Sequence, residues 1–179
     1  MSVVFKKNAV SQEEVKLIFS YIFGKKEHQT KWSINKHYWE NGLKDLSTGV
    51  VNIFVFEGEM YNMISNKFKE YLKPGEVFRA IQYYEWNQLS QINWHNDSHV
   101  KGAITIYLND TWNPNWGGLF CWKEKDPETN RGEFIVPEFR TAIIIRNNPS
   151  HHVTLVSPFA PVRKTIQIWI TDAPESQSP

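Results

Sequence analysis

The chain has 179 residues with 41% hydrophobic and 22% charged side chains, which suits one domain with a full-sized core and is short for two. Aromatics reach 15%, including eight tryptophans, and a disordered chain would be poor in these. Twenty basic against nineteen acidic residues leave a net charge of +1, so no strong field recruits nucleic acid or an anionic membrane. The lone Cys121 excludes an intramolecular disulfide framework and a cysteine-built zinc site. No apolar run approaches the roughly 20 residues that span a bilayer. The opening MSVVFKKNAVSQEEVKL lacks the basic-then-apolar order of a secretion signal. The expectation is a soluble cytoplasmic protein.

In chain order, Ser11-Gln12-Glu13-Glu14 has the form of a capping box. Val15, Ile18, Phe19 and Ile22 follow at helical spacing, and Gly24 is a stop. Met60, Met63, Ile64, Phe68 and Leu72 predict a second helix over 59–72, closed by Pro74-Gly75. Beyond residue 76 the pattern changes to short strands: Val77–Tyr84, Ala103–Leu108, Gly118–Trp122, Glu133–Val136, Thr141–Arg146, His152–Val156 and Thr165–Thr171. Two earlier strands are expected at Lys31–Tyr38 and Val50–Phe56. Turn clusters such as Asn109-Asp110, Asn113-Pro114-Asn115 and Asn147-Asn148-Pro149 separate them. Many short strands with frequent turns predict a sandwich or barrel, with two leading helices over one face. Lys123–Gly132 reads as a solvated hairpin loop and Ala173–Pro179 as a frayed tail.

Chemistry concentrates at His95-Asn96-Asp97. In an extended chain alternate residues share a side, so His95 and Asp97 can present an imidazole and a carboxylate to one point. A third ligand from a distant strand would complete two histidines and a carboxylate, a face that suits Fe(II) because it leaves coordination positions open. By themselves a histidine and an aspartate two apart in a polar loop are more often a turn or a hydrogen-bonded pair than a metal site.

Three blocks in order add specificity: Asn93-Trp94-His95-Asn96-Asp97; Ile106-Tyr107-Leu108-Asn109 with Trp112 and Trp116-Gly117-Gly118-Leu119; and His151-His152-Val153-Thr154-Leu155-Val156 followed by Arg163-Lys164-Thr165-Ile166-Gln167-Ile168-Trp169. From Arg79 to Ile170 the chain resembles the Fe(II)- and 2-oxoglutarate-dependent dioxygenases, in particular the prolyl 4-hydroxylase-like branch. The resemblance implies a mainly β fold: a double-stranded β-helix, or jelly-roll, core over 76–172, with residues 1–75 as supporting helices and strands in a single domain. It implies a hydroxylase using Fe(II), 2-oxoglutarate and O2, with ascorbate as reductant, that releases succinate and CO2.

The same resemblance assigns roles. His95 and Asp97 would ligate the metal. The third ligand is His151 or His152; the family's H-x-V-x-x-V register selects His151, with Val153 and Val156 in its apolar places. Arg163 would anchor the distal carboxylate of 2-oxoglutarate, a task suited to a forked, permanently charged guanidinium. Thr165 lies two residues on, on the same face, and Tyr107 aligns with a tyrosine that reaches the same carboxylate. Lys164 competes with Arg163 in some relatives, but strand alternation puts it on the other face. Tyr84 is a further cosubstrate candidate or a core aromatic. Trp94, Trp112 and Trp116 could line a substrate groove or simply pack. Cys121 reads as a small core residue. The implied substrate is a peptidyl proline; a free amino acid or other small molecule is the alternative, and an inert metal-binding jelly-roll module is the reading from another class.

Overall fold

The computed structural model describes residues 3–24, 26–35, 49–123 and 131–174. Among them are eleven strands and two α-helices. Strand β1 (Val3–Lys6) precedes helix α1 (Gln12–Phe23); β2 (Trp32–Asn35) and β3 (Val51–Val55) precede helix α2 (Gly58–Phe68). The long β4 (Glu76–Trp86) leads into β5 (Ile92–His95), β6 (Gly102–Tyr107), β7 (Phe120–Lys123), β8 (Glu133–Ile135), β9 (Ala142–Arg146), β10 (Ser150–Val153) and β11 (Arg163–Asp172). They form a seven-stranded sheet, β1-β9-β6-β11-β4-β3-β2, and a four-stranded sheet, β5-β10-β7-β8. The two sheets give the jelly-roll expected from the sequence.

Helix α1 starts where its capping box says it should. The Ser11 hydroxyl accepts from the Glu14 amide at 3.1 Å, and the Glu14 carboxylate accepts from the Ser11 amide at 2.6 Å. Val15, Ile18 and Ile22 of α1 and Met60, Ile64 and Phe68 of α2 are buried on one face. Both helices lay that face on the outer side of the large sheet, over Ile81, Tyr83, Ile104, Ile106, Ile166 and Ile168. The second helix is shorter than predicted. It ends at Phe68 and passes through a 3-10 turn, Lys69–Tyr71, to an extended Leu72. Pro74 then bars a return to helix, because it drives Lys73, the residue before it, out of the α region.

The opposite side of the large sheet faces the small one. Tyr84, Trp86, Tyr107 and Ile143 from the large sheet pack there against Ile92, Phe120, Trp122 and Val153 from the small one. Two strands escape sequence reading. β1 is four residues long and gains its place by pairing with β9, while β5 is too polar to show alternation. Strand β10 begins two residues earlier than predicted, and β7 two later. Gly117 and Gly118, both at positive φ, turn the chain before β7. Residues 124–130, 175–179 and the end of the predicted Lys31–Tyr38 strand lie outside the described residues.

Ile106 is fully buried where α-helical and sheet layers meet. Truncating it to alanine is expected to cost about 2–5 kcal/mol from lost transfer and a cavity, measurable as a lower urea midpoint with an unchanged slope.

Candidate metal and cosubstrate site

The small sheet assembles the ligand cluster. Strands β5 and β10 are antiparallel neighbours, and His95 stands directly opposite His151. Their ring centroids are 4.3 Å apart. Asp97 lies two residues beyond His95 and brings its carboxylate to both: Oδ1 is 3.6 Å from His95 Nε2 and Oδ2 is 3.4 Å from His151 Nε2. One ligand atom from each of the three falls within 4.8 Å of the others.

The two imidazoles are held alike. His95 Nδ1 donates to the Asn93 carbonyl at 2.7 Å, and His151 Nδ1 to the Pro149 carbonyl at 2.9 Å. A carbonyl can only accept, so Nδ1 carries the proton and the neutral ring turns the Nε2 lone pair inward. Two such lone pairs facing a carboxylate repel unless a cation lies among them. The donor set therefore fits a small divalent metal, and two nitrogens with one oxygen suit Fe(II). Burial lowers the pKa of His95, and the neighbouring His151 lowers it further. Burial pushes the Asp97 carboxyl up, but in the metal-free site a proton taken up on the inward nitrogen of His151 or His95 gives it a hydrogen bond and a positive charge, and these outweigh burial and hold it below its ordinary range.

The cluster sits in a narrow cleft between the sheets, with a cavity of about 50 Å³. Arg163 lies in the same cleft and is 1% exposed. It pairs across the sheet with Trp86, and its guanidinium carbon is 5.3 Å from the Trp86 ring centroid and 5.2 Å from that of Tyr107. Among the described residues no carboxylate pairs with it. Its Nε and the Tyr107 hydroxyl are buried without a hydrogen-bond partner. Burial lowers the Arg163 pKa and raises that of the Tyr107 phenol to about 12. A guanidinium stays protonated regardless, so a full positive charge waits in a dry slot, a setting that demands an anion. Lys164, by contrast, sits beside the Phe19 ring at 5.3 Å on the helix side of the sheet.

The Gly117-Gly118 corner makes room for this arrangement. A Cβ on Gly118 would stand 2.9 Å from Arg163 Cδ, and one on Gly117 2.0 Å from the Leu155 carbonyl. Thr165 is 1% exposed on the same face as Arg163, opposite both Tyr84 and Tyr107. Tyr84 lines the cleft and donates its hydroxyl to Gln82 Oε1 at 2.9 Å. Burial raises its pKa, a trend the Trp169 hydrogen bond opposes and the Asp97 charge reinforces.

Other candidates fall elsewhere. His152 points away from the cluster and stacks on Trp94, with ring centroids 4.3 Å apart. Trp94 is 41% exposed on the outer face of the small sheet. Trp112 and Trp116 meet edge to face at 5.5 Å around the glycine corner. None of these three tryptophans lines the cleft; Trp86 and Trp169 do. The alternation Arg163, Thr165, Gln167, Trp169 carried the signal for Trp169. Trp86 could not be found that way, since only the β4–β11 register sets it against Arg163.

The profile of the 2OG-Fe(II) oxygenase superfamily matches residues 80–171, just over half of the chain. The chain belongs to this superfamily. No curated protein matches the sequence of this oxygenase. Among solved structures it is similar to a Trichoplax adhaerens prolyl hydroxylase in complex with a hypoxia-inducible-factor peptide fragment (14% identity, 96% of this chain and 84% of that one, TM-score 0.71). It is also similar to a Pseudomonas putida prolyl-4-hydroxylase (10% identity, 96% and 93%, TM-score 0.70). A third similar structure is HygX from Streptomyces hygroscopicus with nickel, 2-oxoglutarate and hygromycin B (7% identity, 96% and 83%, TM-score 0.67). At these identities the likeness is one of fold. No helix among the described residues of this oxygenase is long and apolar enough to cross a membrane.

The lowered pKa of His95 has a thermodynamic consequence. Its imidazole should titrate below the ordinary 6.5 in metal-free protein. The unfolded chain then binds the proton first, so the stability from this residue is complete above 6.5 and lost as pH falls from there through the folded pKa. An NMR titration of the ring, with thermal melts at neutral and mildly acidic pH, checks both.

Proposed function

We propose that this oxygenase is a hydroxylase with its metal on His95, Asp97 and His151 and its 2-oxoglutarate on Arg163, and that a peptidyl proline is its substrate. The observation that carries the reading is the buried, anion-free guanidinium in the same cleft as the His–Asp–His cluster. An isolated metal site would have no use for it. Ferrous iron with 2-oxoglutarate would supply the chemistry: O2 is split, one oxygen entering succinate as CO2 leaves, the other entering a substrate C–H bond.

The chain's own residues do the placing. Arg163 offers parallel N–H donors to the distal carboxylate, and the buried hydroxyls of Thr165 and Tyr107 stand ready to add hydrogen bonds. Trp86, Ile92 and Phe120 exclude water, which strengthens each charge contact. Neutral His95 and His151 keep their inward lone pairs only while their outward N–H groups stay bonded to Asn93 and Pro149. On this reading residues 76–172 are the catalytic core, residues 1–75 brace its outer face, and ascorbate keeps the metal reduced in a cytoplasmic, reducing setting that suits the free Cys121.

The proline reading is supported by the fold shared with the two prolyl hydroxylases. HygX, of the same fold with hygromycin B bound, supports a small molecule as the second reading.

Purified protein supplied with Fe(II), 2-oxoglutarate, ascorbate and a proline-containing peptide pool is expected to release succinate and add 16 Da to a peptide, with Asp97→Ala inactive; equal succinate from both proteins would refute the hydroxylase. In calorimetric titration Arg163→Ala should weaken 2-oxoglutarate binding about ten- to a hundredfold, as for loss of one charge-assisted contact, and leave metal affinity nearly unchanged.

A further inference from the structure

A narrow cleft between two sheets can take the target side chain of a polymeric substrate, and the chain flanking that residue then lies outside it. Strand β11 points to where. Arg163, Thr165, Gln167 and Trp169 line the cleft in succession, from its floor to its mouth. Six residues at roughly 3.3 Å each make that climb about 20 Å. The strand then leaves the cleft, and Thr171 and Asp172 line a second, open groove of about 1010 Å³. The chain after Asp97 does the same. Asp97 faces the cleft, the turn closed by the Val100 amide on the Asp97 carbonyl reverses the chain, and Ser98, His99 and Lys101 line the groove. The His99 and Trp169 rings meet at the junction, 6.3 Å apart. Groove and cleft therefore abut at the mouth, beside a candidate metal ligand.

The groove is charged, not apolar. Its cations are Lys73, Arg79 and Lys101, with His99 beside them; its carboxylates are Glu76 and Asp172. Both carboxylates are engaged. Arg146 binds both oxygens of Glu76 at 3.0 and 2.9 Å, and Lys101 holds Asp172 at 2.9 Å. Lys73 and Arg79 are exposed and make no ion pair among the described residues. The exposed Lys101–Asp172 pair is of the kind worth little, so Lys101 can exchange partners. The surplus is local, because the whole chain carries only +1. A short acidic segment matches it better than a long polyanion, which would need a charged face.

We infer that this groove receives the chain flanking the hydroxylated residue of a peptide substrate and selects flanks rich in aspartate and glutamate. The inference rests on the hydroxylase reading above and names its substrate class more narrowly.

The test uses the full chain loaded with Co(II) and 2-oxoglutarate, which permits binding without turnover. Short fluorescein-labelled peptides carry one proline flanked on either side by acidic, neutral or lysine residues. Anisotropy should show the acidic peptides binding about tenfold more tightly than the neutral ones at low salt, with the advantage gone near about 0.5 M salt. Lys73→Glu with Arg79→Glu should reverse the preference towards lysine flanks while leaving substrate-free succinate formation unchanged. With Fe(II), the acidic peptides should gain 16 Da at the higher kcat/KM. Equal binding of all three peptides, or a preference untouched by the charge reversal, overturns the inference while succinate release keeps the hydroxylase intact. Competition by a short oligothymidylate as strong as that of the acidic peptide overturns it too, since the groove would then be reading phosphate. Absence of Fe(II)-dependent succinate strikes the hydroxylase reading itself, and peptide binding still decides the groove.

Discussion

The pairing of β5 with β10 is the constraint on which the site depends. It sets His95 across from His151, and everything else at the cluster follows from local geometry. Each ring is fixed by the carbonyl two residues before it. Asp97 joins because it lies two residues past His95. A one-residue slip of this register would put His152 or Ser150, in place of His151, across from His95, with its side chain on the other face, since adjacent strand residues face opposite ways. The core that enforces the register is made of Ile92, Phe120 and Val153 on the small sheet against Tyr84 and Trp86 on the large one. Packing with no chemistry of its own thus decides which histidine faces inward.

Electrostatics run in opposite directions at the two ends of the cleft. At the cluster, lone pairs and a carboxylate accumulate negative character that a cation relieves. At the floor, Arg163 carries a positive charge with aromatic faces around it and no acid beside it. An arginine already bonded to an aspartate would have its donors occupied and its field cancelled. Trp86 and Tyr107 instead offer ring faces that tolerate a cation and leave the donors unclaimed. The separation of these poles along one cleft is what makes a bidentate, dianionic small molecule the natural occupant.

Much of this was legible in the sequence, and the reasons are specific. The order of His95, Asp97, His151 and Arg163 survives folding because each lies on or beside a short strand, where alternation translates position into facing. Alternation says that Arg163 and Lys164, like His151 and His152, face opposite ways; the family's R-x-S/T and H-x-V-x-x-V registers select Arg163 and His151. The helices were legible where capping and periodicity agreed, and α2 was overrun at its end because the apolar spacing carries on through the 3-10 turn to Leu72, which still packs on the core. Strands β1 and β5 were hidden, since four residues with partners far along the chain carry no pattern of their own. The tryptophans show the same limit. Trp94, Trp112 and Trp116 are near the motifs in sequence but pack on the outer face or at the glycine corner. Trp86 reaches the cleft through a register that joins residues 77 positions apart.

Gly117 and Gly118 bind two neighbourhoods that the chain order keeps separate. Gly117 bridges to Val156, just past β10, and Gly118 lies against the Arg163 side chain. The corner is a shared hinge pin: a disturbance entering through the segment 154–156 reaches the positive pole of the cleft without passing through any ligand. If Arg163 holds 2-oxoglutarate as proposed, sequence drift at 154–156 would retune cosubstrate affinity through Gly117 and Gly118.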